Sequence, residues 1–184
     1  SLPTDTPPAV SPFGSLNSFP ALWYWAVYFI YKPLLPLIDR YSFEKLLMAS
    51  LGAISISALF LFLRTFCERR IALCSAWLLC FLGWHWLNSR LLYTYSIDLA
   101  LISLVMLSIA VSLRDSHLGM AGVAGALSGL TVVSQKIGLM VFPVVAYLLL
   151  DSLITADSSR RRKVIAIGVV WLASAAFLLL PVLL

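Results

Sequence analysis

Long apolar runs alternate with short charged segments along this chain. Each of four runs is long enough to cross the roughly 30 Å of bilayer hydrocarbon, namely Leu46–Leu63, Ile71–Ser89, Leu91–Leu113 and Val164–Leu184. Where hydrocarbon surrounds the backbone, only helices and closed barrels satisfy the amide groups. A barrel would show shorter, alternating segments. The pattern therefore predicts transmembrane helices.

A further apolar stretch, Leu118–Ile154, is too long for one ordinary helix and is interrupted by Gln135 and Lys136. We interpret it as two short spans, Leu118–Ser134 and Ile137–Ile154, joined by a tight polar turn at the membrane surface. One broken helix is the alternative. With two spans here, the chain has six transmembrane helices.

Small residues are dense in the first of these two spans. Gly122, Gly125 and Gly129 are spaced so that they share one helical face. In membranes, such faces let two helices approach closely. We therefore expect this face to pack against a neighbouring helix.

The segment Phe19–Ile38 is apolar but unsuited to a spanning helix. It contains Lys32 and three prolines and is crowded with Trp and Tyr, which favour the headgroup level. A helix from about Ala21 to Tyr31 that lies in the interface and ends at Lys32-Pro33 fits these residues. Lys32 is then either an interface anchor or a cation that faces a lipid phosphate.

The composition indicates that lipid is the solvent of this chain. Of its 184 residues, 61% are hydrophobic and 11% are charged, a balance that a water-soluble domain of this size could not bury. The net charge of +5 lies in short loops between apolar runs. Membrane topology explains that charge better than a nucleic acid partner does. The predicted fold is an all-α polytopic transmembrane bundle with an outward interfacial helix.

The chain divides into three predicted parts: a flexible outward tail at residues 1–18, an interfacial aromatic helix and loop at residues 19–45, and a six-helix transmembrane bundle at residues 46–184. Because the chain starts at Ser1 without a basic signal-peptide start, we expect its beginning to be processed or truncated. Eight of the 13 Lys and Arg residues fall on one side, with Arg160–Lys163 as the strongest run. Basic loops stay in the cytoplasm, so we expect a multi-pass protein of a bacterial inner membrane with both chain ends outward.

The sequence has no motif for soluble-type chemistry. His85 and His117 are predicted on opposite membrane faces, without a carboxylate or thiol at helical spacing, so no metal site is expected. No P-loop, nucleophile elbow or dinucleotide fingerprint occurs, and no cofactor is expected. The three cysteines form no C-x-x-C pair and are predicted to be buried, unreactive thiols.

Polar residues at the outward ends of the spans can lie at one height in the membrane. Asp98 is about two turns into its predicted span, where an unpaired carboxylate is costly, so we expect an ion pair with Arg90 or Lys136. That pair is either purely structural or part of a binding site. The two basic residues can also simply extend to the interface.

Four segments of the chain follow one another in an order that a known family shares: FPALWYWAVYFIYKPL, LFLRTFCERRIAL, SRLLYTYSIDLALISL and GALSGLTVVSQKIGLMVFPVVAYLLL. In order, they resemble an outward juxtamembrane aromatic element, a basic cytoplasmic turn, the opening of a later span, and a glycine-rich span followed by a lysine and a proline. These are elements of the membrane half of glycosyltransferases that take a sugar from a polyprenyl-phosphate carrier. Protein O-mannosyltransferases and aminoarabinose transferases, with the C-type fold, are of this kind. The resemblance covers about residues 19–184.

The resemblance implies that a sugar is transferred from polyprenyl phosphate on the outward face. It implies that an acidic residue of the first outward loop acts as general base, a role that falls to Asp5 here. Outward cations would hold the carrier phosphate. Lys136 matches the family's lysine, and Lys32 and Arg90 are further phosphate-binding candidates.

Two other functions fit parts of the sequence. A non-catalytic accessory subunit, which packs against a larger membrane complex through its glycine face and aromatic belt, would explain the short chain. A small transporter is the other, but the chain has no internal repeat and few charges within its spans.

Overall fold

Every regular element in the described part of the computed structural model is helical. The description covers residues 28–34, 36–82, 94–134 and 136–183. The α-helices with described bounds are α1 (Arg40–Leu63), α2 (Arg69–Phe81), α3 (Thr94–Asp115), α4 (Leu118–Ser134), α5 (Val141–Thr155) and α6 (Ser158–Leu183), and two short 3-10 turns lie at Lys32–Leu34 and Lys136–Met140. The predicted all-α fold is confirmed.

The chain is a multi-pass membrane protein, because several of its helices have the length and composition of membrane spans. Among the described residues, four stretches are long and apolar enough to cross a bilayer, namely Tyr41–Leu63, Ser96–Asp115, Gly138–Thr155 and Ser158–Leu180. The apolar helix α4 is shorter, at 17 residues, and α2 has 13. That α2 and α4 also cross the membrane stays a prediction.

Helix α3 lies at the centre of the bundle. Of the residues in its most apolar stretch, 61% are buried within the chain, against 22% or less for the other three long helices. It contacts α1, α4, α5 and α6. Its Val105 and Ile109 join Ala121 of α4, Val145 of α5 and Trp171 of α6 in the main core cluster. The other helices therefore turn much of their apolar surface toward lipid.

The glycine face of α4 packs against α6. A Cβ atom added at Gly125 would overlap the backbone carbonyl of Trp171 and lie 2.8 Å from Ser174 Cβ. At Gly129 it would lie 2.9 Å from Leu178 Cβ. Gly122 is less crowded, since its added Cβ would have ordinary contacts at 3.6 Å or more. Two of the three glycines thus let the α4 and α6 backbones come close.

The contacts between helices fix their relative directions. Met48, in the first half of α1, packs with Ile97 and Leu101 in the first half of α3, so the starts of α1 and α3 lie at the same end of the bundle. Because α4 meets α6 with Gly125 near Trp171 and Gly129 near Leu178, those two helices run parallel.

Helix α5 runs opposite to α6. Phe142 stacks on Trp171 with ring centroids 5.2 Å apart, whereas the later residue Leu149 meets the earlier residue Gly168. Helices α4 and α5 therefore reverse direction at the 3-10 turn between them. This reversal favours the interpretation of two helices joined by a turn over one broken helix.

The bundle has two ends, which are named here after Lys136 and Arg160. The Lys136 end holds the starts of α1 and α3, the end of α4 and the turn Lys136–Met140. The Arg160 end holds the end of α3 and the starts of α4 and α6, because an Arg160 side-chain nitrogen donates to the Leu113 carbonyl at 3.5 Å.

The N-terminal segment is described from Tyr28 onward. Residues 28–31 are helical, and the 3-10 turn Lys32–Leu34 follows. Tyr31 packs on Phe43 of α1, with ring centroids 4.9 Å apart, which holds this turn at the Lys136 end. The predicted outward tail and most of the interfacial helix lie outside the described residues, and the interfacial placement stays a prediction.

Candidate functional site

Asp98 is the buried carboxyl group of the described bundle. It lies about one turn into α3 at the Lys136 end, and only 2% of its surface is exposed. It therefore points into the protein rather than toward lipid. Neither of its carboxylate oxygens has a hydrogen-bond partner among the described residues.

The surroundings of Asp98 combine one polar neighbour with an apolar layer. The side chain of Ser134, at the end of α4, faces the carboxyl and is itself fully buried. Beside them, Met48 of α1 packs with Ile97 and Leu101 of α3. The carboxyl thus faces α4 and lies beside the contact between α1 and α3.

The predicted ion-pair partners of Asp98 are not among the described side chains. Arg90 and the side chain of Lys136 lie outside the described residues, so the pairing stays a prediction. The backbone of Lys136 is described, and it opens the turn that follows Ser134. In that turn, Gly138 lies so close to the Thr131 backbone that an added Cβ would overlap it. The turn is therefore held against the end of α4, at the same end of the bundle as Asp98.

Lys32 lies at the same end, in an exposed position. Its ammonium group is 5.5 Å from the centroid of the Tyr28 ring, a distance that allows a cation–π contact. Pro33 follows it within the 3-10 turn. Asp5, the predicted general base, lies outside the described residues.

Basic residues gather at the Arg160 end. The Arg161 side chain donates to the Ala156 carbonyl at 3.1 Å, and Arg114 forms an ion pair with Asp115 at 2.8 Å. Asp157 accepts a hydrogen bond from the Arg160 backbone N–H at 2.8 Å and so caps the start of α6. The loops with Arg114 and Arg160 lie at the same end of the bundle. That all the basic loops share one side of the membrane, and that this side is the cytoplasm, stays a prediction.

The prediction of buried cysteines is wrong for two of the three. Cys74 and Cys80 are exposed on the surface of the chain, and Cys67 is half-buried. The reason is the face by which α2 packs on α1. Ala72 and Ala76 are the buried residues of α2, so the cysteine positions between and beyond them point outward.

One polar contact between helices was not predicted from the sequence. The indole N–H of Trp171 on α6 donates to the Ser128 hydroxyl on α4 at 3.0 Å, and both side chains are buried. A tryptophan in the middle of an apolar run is a signal for such a bond, because a buried indole N–H needs an acceptor. The sequence does not say which helix provides that acceptor.

The described residues also form two apolar grooves on the bundle surface. One lies between α1 and α2, beside Phe60 and Trp77, with a volume of about 370 Å³. The other lies between α5 and α6, beside Phe142 and Trp171, with a volume of about 510 Å³. No group of three or more His, Cys, Asp or Glu side chains gathers within the described ranges.

Comparisons with protein-family models, with curated proteins and with solved structures give no match for this chain. The fold and the site alone therefore define its class. It is a multi-pass helical membrane protein with a buried carboxyl near one end of the bundle.

Proposed function

We propose that this chain is the membrane part of a glycosyltransferase that takes its sugar from a polyprenyl-phosphate carrier, with the Lys136 end as its ligand side. One structural observation carries the proposal. The turn with Lys32, the buried carboxyl of Asp98 and the turn that begins at Lys136 lie at the same end of the bundle. The order of the four sequence segments supports it as well.

The chemistry of this transfer needs a base and a set of cations at the membrane surface. In the reaction, an acceptor hydroxyl oxygen attacks the anomeric carbon, and the bond from that carbon to the phosphate oxygen breaks. Asp5 would take the hydroxyl proton. Lys136, with Lys32 and Arg90, would offset the negative charge left on the carrier phosphate.

An observation on the glycine face favours this proposal over the accessory-subunit hypothesis. That hypothesis assigned the face of Gly122, Gly125 and Gly129 to a partner subunit. Gly125 and Gly129 instead contact α6 of the same chain, so this surface is already occupied.

A transfer assay in lipid vesicles tests the proposal. The full chain is supplied with polyprenyl-phosphate mannose, radiolabelled in the sugar, and with a membrane extract that provides acceptor hydroxyl groups. Transfer of the label from the carrier lipid to the acceptor is measured. We expect turnover by the wild type, and about 10²-fold or greater losses for Lys136→Ala and Asp5→Asn. Lys45→Ala is the matched control, because it removes a cation at the same end whose Nζ lies 4.0 Å over the Tyr41 ring. No turnover above protein-free vesicles, or equal turnover in all variants, contradicts the proposal.

A further inference from the structure

We propose that Asp98 is a proton-binding site, at which a neutral carboxylic acid is held between α1, α3 and α4 in the folded protein. The proposal does not depend on sugar transfer. It rests on the position of the carboxyl group, on the lack of partners for its oxygens within the described ranges, and on the groups carried by the surrounding helices.

Burial without hydrogen-bond partners among the described residues disfavours an ionised Asp98. Asp98 is 2% exposed, and neither carboxylate oxygen accepts a hydrogen bond from a described residue. A carboxylate in that position has lost its water, and no charged group among the described residues hydrogen-bonds to it in exchange. Its neutral form has no net charge to desolvate, so burial favours the acid.

The side chains of the neighbouring helices α4 and α1 also bear on the protonation of Asp98. Helix α4 has no titratable residue and presents the hydroxyl of Ser134 to Asp98. On α1, Lys45 lies over the Tyr41 ring, and Glu44 carries a charge of the same sign as an ionised Asp98.

Among the described residues, helices α5 and α6 add no cation near Asp98. Tyr147, the titratable residue of α5 closest to its start, is exposed, and residues 164–183 of α6 include no titratable residue. Lys136 opens the adjoining turn, and Arg90 precedes α3 in the chain. The described surroundings therefore favour a neutral Asp98.

A bound metal ion fits this place less well than a proton does. A metal ion held by oxygen atoms needs several ligands that converge on it. Within the described ranges no group of three acidic, His or Cys side chains forms. A proton needs only the carboxyl oxygen itself. Because Asp98 is about one turn from the start of α3, that proton has a short path to the membrane surface.

Dicyclohexylcarbodiimide, an apolar reagent that reacts with carboxylic acids in membranes, tests the proposal on the wild-type protein. The acid proton passes to a carbodiimide nitrogen while the carboxyl oxygen bonds to the central carbon. The resulting O-acylisourea rearranges to a stable N-acylurea. We expect mass spectrometry to find this adduct on Asp98. Its rate of formation should fall about tenfold for each pH unit above the pH at which the acid titrates.

Three controls sharpen the labelling test. Asp98→Asn should remove the adduct, and Ser134→Ala should retain it. A water-soluble carbodiimide should modify the exposed carboxyls Asp39 and Asp157 instead of Asp98. Because the adduct is mapped on the wild type, the main result does not require any variant to fold.

The competing outcome is an ionised Asp98 in an ion pair. In that case Asp98 resists the reagent at neutral pH, and Lys136→Ala or Arg90→Ala makes it reactive. Infrared spectroscopy of the wild type measures the protonation state of Asp98 without any reagent. A neutral carboxylic acid has a carbonyl band, and loss of that band in Asp98→Asn assigns it to Asp98. Absence of both the adduct and this band overturns the proposal.

Discussion

Most of the buried hydroxyl groups with described hydrogen bonds donate to the backbone of their own helix. Ser55 donates to the Gly52 carbonyl, Ser128 to Ala124 and Thr131 to Ser128, each at 2.7 Å. These bonds satisfy polar atoms without joining two helices. The bond from Trp171 to Ser128 differs, because it crosses from α6 to α4.

We expect that bond to couple the two helices energetically. Trp171→Phe removes the indole donor and Ser128→Ala removes its acceptor. Their combined effect on the free energy of unfolding should differ from the sum of the single effects by about 0.6–1.7 kcal/mol. Unfolding from mixed micelles, followed by circular dichroism, measures the four proteins of this cycle. Additive effects would show that the bond contributes nothing.

The glycines of α4 offer a matched pair of substitutions. An added Cβ at Gly125 overlaps the Trp171 carbonyl, whereas at Gly122 the nearest atom is 3.6 Å away. Gly125→Ala should therefore lower the free energy of unfolding by about 1–3 kcal/mol through overpacking. Gly122→Ala should cause no loss, because alanine has the higher helix propensity.

The same micelle titration compares these two variants. Equal effects of Gly122→Ala and Gly125→Ala would contradict the close packing of α4 on α6. A loss confined to Gly122→Ala would place the contact on the other part of the glycine face.

Among the helices, α1 begins with a side-chain cap. The Ser42 backbone N–H donates to Asp39 Oδ2 at 3.0 Å. Hydrogen bonds from the Ser42 side chain and backbone hold the pKa of Asp39 below its ordinary value of 3.8. A lowered pKa means that the cap stabilises the helix start at pH values above 3.8 and is lost as the pH falls through the folded-state pKa.

We therefore expect Asp39→Ala to speed hydrogen–deuterium exchange over residues 41–44 at neutral pH. Asp39→Asn is the control, since it keeps an oxygen that accepts from Ser42. In acid, where the Asp39 carboxyl is protonated, the wild type and Asp39→Ala should exchange at the same rate over these residues. Unchanged exchange in Asp39→Ala at neutral pH would show that the cap does not hold the start of α1.

The helix bounds show which part of the fold the sequence predicts well. The predicted span Leu118–Ser134 coincides with α4. By contrast, α1 begins at Arg40 rather than Leu46, and α6 begins at Ser158 rather than Val164. Hydropathy finds the apolar part of a helix, while the helix itself starts at its cap. Asp39 and Asp157 provide those caps.

Contacts between distant helices could not be predicted from the sequence in the same way. The small-residue face of α4 is visible in the sequence, but several apolar helices could have covered it. Ser134 and Asp98 are far apart in sequence, and nothing local pairs them. The exposure of Cys74 likewise depends on which face of α2 meets α1, and α2 is apolar on several sides.

The whole molecule is organised around α3 and has two chemically different ends. The Arg160 end holds the basic loops with Arg114 and Arg160, whereas the Lys136 end holds a buried carboxyl beside a turn with a single lysine. Both proposals depend on the Lys136 end being one face of a membrane-spanning bundle. The helix that decides this is α4, which has only 17 residues.

Cysteine accessibility measures the crossing of α4 most directly. In a background where the three native cysteines are replaced by serine, single cysteines are introduced on either side of α4, by His117→Cys at the Arg160 end and Leu139→Cys at the Lys136 end. Both positions are exposed. A membrane-impermeant thiol reagent is then added to intact cells and to inside-out vesicles. Leu139→Cys should be labelled only in intact cells and His117→Cys only in inside-out vesicles. Labelling of both variants from the same side would mean that the two ends do not lie on opposite faces of the membrane.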